Sequence, residues 1–429
     1  MVPASASGGR RAVWSWALYD WANSAFATVV LAGFFPLLFK EYWQVGVADT
    51  TSNLRLSWAN SLTSIIIILV APLLGAVADR AGRRKAALAA FGVLGVLATA
   101  ILAQVPAGQW LAAAALFVAA TVGWLGANIF YDALLTGVAP ARRWHAVSGL
   151  GFALGYLGGG VLFLGCALAA MQPARFGFDG TTEAALAGFT ATAVWWAVFA
   201  VPLFRYVPEP AATGAPGRGV WSQGWHQLGY TLTHLGRYRP ILVFLIAYWC
   251  YIDGVHTVVR MALAYGQSIG FGTDDLIAAL LVVQFVGFPA ALAYGYLGER
   301  FGARRGIYTG LAVYTGICIW GFFVQALWEF YAIAVLVGLV QGGVQSLSRS
   351  LYARLIPPSA SGQFFGFYNL LGKFATLIGP PLFGLVGHGF GDARYSILSL
   401  ILLFGMGAAV LAFVREADAP GIAGDPSAY

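Results

Sequence analysis

Charge is what this sequence has least of. Of its 429 residues only 10% are Asp, Glu, Lys or Arg, while 59% are hydrophobic. Soluble domains carry about 25% charged residues, and a chain of this length would need two or three domains with polar skins. The shortage excludes a cytosolic enzyme and a disordered protein. Cysteine is equally scarce. Cys166, Cys250 and Cys318 each lie inside an apolar run with no metal-ligand spacing, which excludes a secreted disulfide scaffold and makes them small buried hydrophobes. The histidines, His145, His226, His234, His256 and His388, form no ligand cluster. No Gly-x-x-x-x-Gly-Lys-Ser/Thr loop is present, so ATP-driven work by this chain is not expected. His-Glu-x-x-His and Gly-x-Ser-x-Gly are missing too, and neither an enzyme nor a cofactor is expected. The net charge of +7 does not point to nucleic acid, because the basic residues stand in short runs between apolar stretches.

Those stretches are what the sequence has in abundance. A helix crosses the ~30 Å hydrocarbon core with about 20 residues, and twelve stretches are long enough. They are Val13–Phe39, Leu56–Ala78, Ala86–Val105, Leu111–Thr136, Ala146–Met171 and Ala185–Val207, then Ile241–Tyr265, Leu276–Leu297, Gly306–Ala326, Phe330–Leu355, Gly362–Val386 and Tyr395–Val414. Barrel strands are shorter and alternate, so the fold class is all-α integral membrane. The first span lacks a small-residue cleavage site and is read as a retained helix. Placing the N-terminus inside leaves only Lys40, Arg55, Arg175 and Arg394 outside, with Arg260, Arg349 and Lys373 within helices, out of 24 Lys and Arg. By the positive-inside rule both termini are cytoplasmic. The preference for Arg over Lys suggests a GC-rich bacterial genome and hence the cell membrane.

Residues 208–239 form the longest interior connection. It begins Pro208-Glu-Pro210 and then carries Trp221, Trp225, Leu228, Leu232 and Leu235 at helical steps, the pattern of an amphipathic segment at the membrane interface. It separates an N-terminal half, 1–207, from a C-terminal half, 240–415, with a cytoplasmic tail at 416–429. The halves repeat. Gly75, Asp79, Arg80, Gly82, Arg83, Arg84 and Lys85 after span 2 are echoed by Gly295, Glu299, Arg300, Gly302, Arg304 and Arg305 after span 8, an offset of 295 − 75 = 220. Pro140, Gly149 and Gly155 are echoed by Pro357, Gly366 and Gly372 at an offset of 217. Internal symmetry of this kind is a hallmark of transporter folds.

On these residues the chain resembles the major facilitator superfamily, whose signature between helices 2 and 3 matches Gly75 to Lys85. Further segments are similar to the branch containing the fungal autophagy-related vacuolar effluxers and their bacterial relatives. They are Tyr19-Asp-Trp-Ala-Asn-Ser-Ala-Phe26, Gly33-Phe-Phe-Pro36, Ser148 to Gly160, Asp253-Gly-Val, Gln341-Gly-Gly343, Ser346-Leu-Ser-Arg-Ser350 and Phe364-Phe-Gly-Phe-Tyr-Asn369. The resemblance implies twelve helices in two pseudo-symmetric halves that rock about a midplane site lined by helices 1, 4, 7 and 10. It implies secondary transport of a small-molecule substrate, amino acids first, in the efflux direction, with H+ or Na+ as the coupling ion. A carrier of lipids or hydrophobic drugs, or a non-transporting receptor, is the alternative. A monomer suffices for this architecture, with membrane lipids as its surroundings. The Gly-Pro-x-x-Gly-Gly pattern of many drug/proton antiporters is missing from helix 5, and helix 4 lacks the arginine common in proton-coupled members.

The same resemblance puts the N-terminus of helix 11 beside Asp79, where a negative charge is favourable. Gly75, Asp79, Arg80, Gly82, Arg83, Arg84 and Lys85, with Gly295, Glu299 and Arg300, are therefore expected to latch the halves together. The plainer role is a positive-inside anchor.

Ionisable residues within a membrane are functional candidates by default. Asp253, His256 and Arg260 share one face of helix 7, and Lys373 lies at mid-depth in helix 11. Asp253 and Lys373 are expected to line the central cavity, paired or bridged by substrate, unless they form a purely structural pair. Asp253 and Arg260 lie about 10 Å apart along the helix, too far to clamp one amino acid end to end. Asp20 and Asn23, with Ser24, are expected at the cavity, with helix-end contacts in their own half as the alternative. Trp16, Tyr19 and Trp21 read as interface aromatics. Asp132 and Arg349 are related by 132 + 217 = 349 and are opposite in sign. Helices 4 and 10 meet at their cytoplasmic ends in the outward-facing family fold, so the pair is a candidate gate. Local pairing of Asp132 with Arg142 or Arg143 is the competing arrangement. Gly151, Gly155 and Gly159 form a small-residue stripe for close helix packing.

Overall fold

A computed structural model describes residues 9–210, 229, 238–268, 270–374, 379–390 and 393–414. The amphipathic segment expected after Pro210, apart from Gly229, and the tail lie outside the described residues. Every element described is helical. α1 is Arg10–Glu41, α2 Asp49–Ala81, α3 Arg84–Leu102, α4 Trp110–Val138, α5 Trp144–Met171 and α6 Thr181–Tyr206. After the linker come α7 Arg239–Ser268, α8 Thr273–Phe301, α9 Ala303–Phe323 and α10 Leu327–Leu355. The described parts of α11 are Ser361–Phe374 and Gly379–Phe390, and α12 is Ala393–Leu411. Eleven helices among the described residues are long and apolar enough to cross a membrane. In lipid each backbone N–H must find its partner within the chain, which is why near-continuous apolar runs fold as helices. Several helices outrun their apolar stretch. α2 starts at Asp49, ahead of the first apolar residue, because water-facing turns can continue a helix once it is nucleated.

The six helices before the linker are called here the N-half and the six after it the C-half. α1 packs on α5 and α6, and α3 packs on α4 and α6. In the C-half α8 packs on α10, α7 on α12, and α9 on α10 and α12. The halves meet where α2 crosses α11, where α5 crosses α8 and α10, and where α4 meets α11. The end of the bundle where α1 begins and α2 ends is called the basal end.

Glycine stops two helices at matching points. Gly82 (φ 59°) ends α2 and Gly302 (φ 88°) ends α8, and both adopt a backbone that a side chain would disfavour. In α1, Phe26–Phe34 is π-helical, a form frequent at functional sites. Two of the three aromatics expected at the membrane interface are instead in the core, and Trp21 is half-buried. Trp16 and Tyr19 are fully buried, with Trp16 stacked on Tyr131 at 4.5 Å. Trp21 stacks on Trp195 at 5.4 Å. Burial follows from the face of α1 that Trp16 and Tyr19 share, which packs on neighbouring helices, whereas Trp14 of the same helix is half exposed.

Candidate functional site

Arg349 occupies the centre of the bundle. α10 carries it across to the N-half, where its Nη1 donates to Asp132 Oδ1 of α4 at 3.1 Å and to Asp20 Oδ2 of α1 at 3.3 Å. Its Nε donates to Ser148 Oγ at 2.9 Å and its Nη2 to the Ser148 carbonyl at 3.0 Å. The Tyr131 hydroxyl donates to Asp20 Oδ2 at 3.0 Å, and Asn369 Nδ2 donates to Asp132 Oδ2 at 3.0 Å. The guanidinium lies 4.3 Å from the Phe152 ring centre and 4.9 Å from that of Trp16. Arg349 is 3% exposed. A charge buried so deeply is tolerated only when paired and hydrogen-bonded, and a planar guanidinium can serve several acceptors while stacking on rings. Two carboxylates face one guanidinium, so the cluster carries one negative charge in excess when both are ionised.

Close packing brings the helices to this distance. A Cβ at Gly151 would lie 2.9 Å from Asp20 Oδ2 and 3.0 Å from Arg349 Nη2. Those at Gly155 and Gly159 would meet Ser24 and Thr28 of α1. The glycine stripe thus seats α5 against α1 and clears space for the guanidinium. Arg142 and Arg143 are exposed, so Asp132 pairs across the halves and not with its local arginines.

Above the cluster a cavity of about 380 Å³ extends away from the basal end to Ala32 and Phe163. Its walls come from α1, α4, α7 and α10, and also from α5, α8 and α11. Asp20, Asn23, Ser24, His256, Asp132 and Arg349 line it, and the uncharged amides Asn128, Gln284, Gln341 and Gln345 stand among apolar wall residues such as Leu125, Phe152, Leu280 and Val283. Asn23 Nδ2 donates to Asn128 Oδ1 at 2.6 Å.

Asp253 corrects an expectation. It is 1% exposed and is not among the residues lining the cavity. Its Oδ2 accepts the Gly379 N–H at 2.9 Å and its Oδ1 faces Thr257 Oγ1 at 3.4 Å. The carboxylate thus ties α7 to the backbone of α11 and is turned away from the cavity. The side chains of Arg260 and Lys373 lie outside the described residues.

Two further contacts close the basal end. Asp79 at the end of α2 accepts Arg84 Nε at 2.6 Å, the Gly362 N–H at 3.0 Å and the Gln363 N–H at 2.9 Å. Arg84 also donates to the carbonyls of Pro358 and Ser359 at 3.1 and 3.3 Å. Gly75 lets α2 lie directly on the Gly362 backbone. The basic run expected to act as a set divides. Lys85 Nζ donates to the Phe204 and Val207 carbonyls of its own half at 2.7 and 2.8 Å, while Arg83 is exposed. At the second corner, Glu299 Oε1 accepts the Ala146 N–H at 3.2 Å. There Gly295 of α8 crosses Gly149 of α5, and a Cβ on Gly295 would stand 3.1 Å from the Gly149 Cα. Glu299 and Arg300 are both exposed. Between the corners, His145 Nδ1 and Ser350 Oγ are 2.7 Å apart, and Ser148 Oγ donates to the Ser346 carbonyl at 2.8 Å.

Sequence reasoning missed Asp20 as a second partner of Arg349, and missed Ser148, Tyr131 and Asn369 altogether. The branch-specific segments contained most of the signal, since Ser148, Ser346 to Ser350 and Asn369 all fall in them.

Residues 49–145 and 139–419 match the protein family described as "Vacuole effluxer Atg22 like". The uncharacterized MFS-type transporter YxiO of Bacillus subtilis (strain 168) is 37% identical over 404 residues, covering 94% of each chain. Autophagy-related protein 22 of Coccidioides immitis (strain RS) is 25% identical over 293 residues, 62% of this chain and 48% of that one, so the chain spans about half of that fungal relative. Among solved structures, the human organic anion transporter MFSD10 (TETRAN) superposes with a TM-score of 0.72 at 17% identity, covering 94% of this chain and 99% of that one. The transporter FucP in its outward conformation gives 0.70 at 13% identity, covering 94% and 98%. At these identities the structural likeness shows the fold.

Proposed function

The chain belongs to the Atg22-like vacuole effluxer family of major facilitator transporters, and on that premise we propose that it exports a small amino-acid-like solute across the cell membrane, driven by H+. The protein is a transporter and not an enzyme. The observation that carries the finer reading is the Arg349 cluster, which joins the two halves at the closed end of a polar cavity. Lys/Arg bias makes the basal end cytoplasmic, so the state described is outward-facing, and Asp132–Arg349–Asp20 forms its inner gate. Opening the gate withdraws Arg349 from two carboxylates that cannot both remain ionised and buried, and one of them takes up a proton. Sodium fits less well. The neighbours of these carboxylates are donors, a guanidinium, a phenol and an amide, whereas hard cations require a shell of oxygens. The amides and the charged cluster on the cavity wall offer a zwitterion hydrogen-bond partners that a lipid or an apolar drug would leave unused.

The test uses proteoliposomes. Preloaded unlabelled amino acids should drive counterflow of labelled ones in the wild type. Asp132→Asn should keep that exchange while losing accumulation driven by a pH gradient. No counterflow in folded, inserted wild type would remove the amino-acid assignment. Undiminished gradient-driven accumulation in the variant would remove Asp132 from coupling.

A further inference from the structure

The segment Gln341-Gly-Gly343 stands out because neither the charge cluster nor the basal contacts use it. Its glycines have a visible purpose. A Cβ on Gly342 would lie 2.6 Å from the Tyr156 ring of α5, and one on Gly343 would run into the Tyr294 ring of α8. α10 is therefore wedged between two tyrosines, one from each half, and Tyr156 itself lines the cavity. The residue held in place by this wedge is Gln341, also on the cavity wall.

Its amide differs from those of Asn23 and Asn369. Asn23 is bonded to Asn128, and Asn369 to Asp132 and to the Phe365 carbonyl. Gln341 Oε1 is buried without a hydrogen-bond partner among the described residues. Native proteins rarely leave such a group unmatched, and an unmatched one calls for a specific reason. Here the group belongs to a wall residue of the cavity, on a backbone held rigid by the two tyrosines.

Gln341, Gln345 and Arg349 follow at four-residue steps along one face of α10. Eight residues of helix place Gln341 about 12 Å further from the basal end than Arg349. The functional groups of a small zwitterion are much closer together than that. A solute at Gln341 does not reach Arg349, whose donors are already engaged by Asp20, Asp132 and Ser148.

We infer that Gln341 is a substrate-contacting, specificity-determining residue of the outward-facing state. It offers an uncharged donor and acceptor to a net-neutral solute while the Arg349 cluster stays closed beneath it. This rests on the carrier reading above and adds an order of events: reception by amide hydrogen bonds first, disturbance of the buried charges afterwards.

The experiment is counterflow of a labelled amino-acid pool in proteoliposomes. Gln341→Leu should raise the half-saturating concentration about tenfold, the loss expected when a site built to hydrogen-bond its ligand is made apolar. Its maximal rate should stay close to wild type. An unchanged half-saturating concentration in a variant that elutes as a folded monodisperse protein would overturn the inference. If the wild type shows no amino-acid counterflow, the amino-acid reading fails alone, and a second measurement decides Gln341. With Cys166, Cys250 and Cys318 replaced by alanine, the Gln341→Cys variant should react with a small membrane-impermeant thiol reagent applied from the cavity side. A folded variant that stays unlabelled would overturn the inference independently of the substrate.

Discussion

Asp79 and Glu299 occupy the same place in the two repeats, related by 79 + 220 = 299, and so do their partners, since 146 + 217 = 363. Each carboxylate reaches across to the N-terminus of a helix in the opposite half. There the likeness ends. Asp79 is 1% exposed and takes two backbone N–H groups and Arg84, whereas Glu299 is exposed and takes the N–H of Ala146. The packing beneath is alike, with glycine crossing glycine at both corners. Duplication thus supplied one geometry twice, and burial decided which copy became electrostatically strong. A carboxylate with a buried arginine partner is screened little by water, while an exposed one contributes about 0–1 kcal/mol.

The sharpest way to break this contrast is Asp79→Asn. It leaves Arg84 buried without its counter-charge, and breaking such a pair costs about 3–5 kcal/mol. Counterflow should fall by about tenfold or more, and spin labels at positions 83 and 359 should report a wider, broader distance across the basal end. A variant with wild-type distances and rates would show that the buried charge is dispensable. Next in size, Gly75→Ala and Gly149→Ala should each slow counterflow by about three- to tenfold, because overpacking a tight crossing costs roughly 1–3 kcal/mol. Similar losses at both corners would support symmetric packing, and a large effect at only one would refute it. Asp79→Glu keeps the charge but lengthens the arm in a closed site, for an expected loss of about threefold. Smallest of all, Glu299→Gln should stay within about twofold, because a surface acceptor replaced by a neutral one changes little. A loss at Glu299 equal to that at Asp79 would end the distinction between the corners.

Much of this molecule was legible in advance because lipid leaves a chain few options. Apolar runs had to be helices, the basic residues sorted to one end, and the offsets of 217 and 220 exposed the repeat. Asp132 and Arg349 were picked out by that offset, by their opposite charges and by the resemblance that brings helices 4 and 10 together. Asp253 was misread for a physical reason: depth along a helix does not say which face a residue takes, and the Gly379 N–H of α11 claimed its carboxylate. Asp20 was placed at the cavity but not with Arg349, because no repeat relation links α1 to α10. Trp16 and Tyr19 went astray because aromatic enrichment near a span end looks the same whether lipid or protein covers it.

The depth of the basal closure has an electrical meaning. Below the cavity lie the Arg349 cluster with Ser148, then the His145–Ser350 contact, then the corner at Asp79. A wet cavity conducts and stays near the potential of the solution it joins, so in a voltage-bearing membrane the field is concentrated across this seal. Any charge leaving Asp20 or Asp132 through it traverses most of the membrane potential, about 2.3 kcal/mol for each elementary charge per 100 mV. On the proposed carrier reading the closed end of the bundle is therefore its insulator, and the place where transmembrane voltage acts.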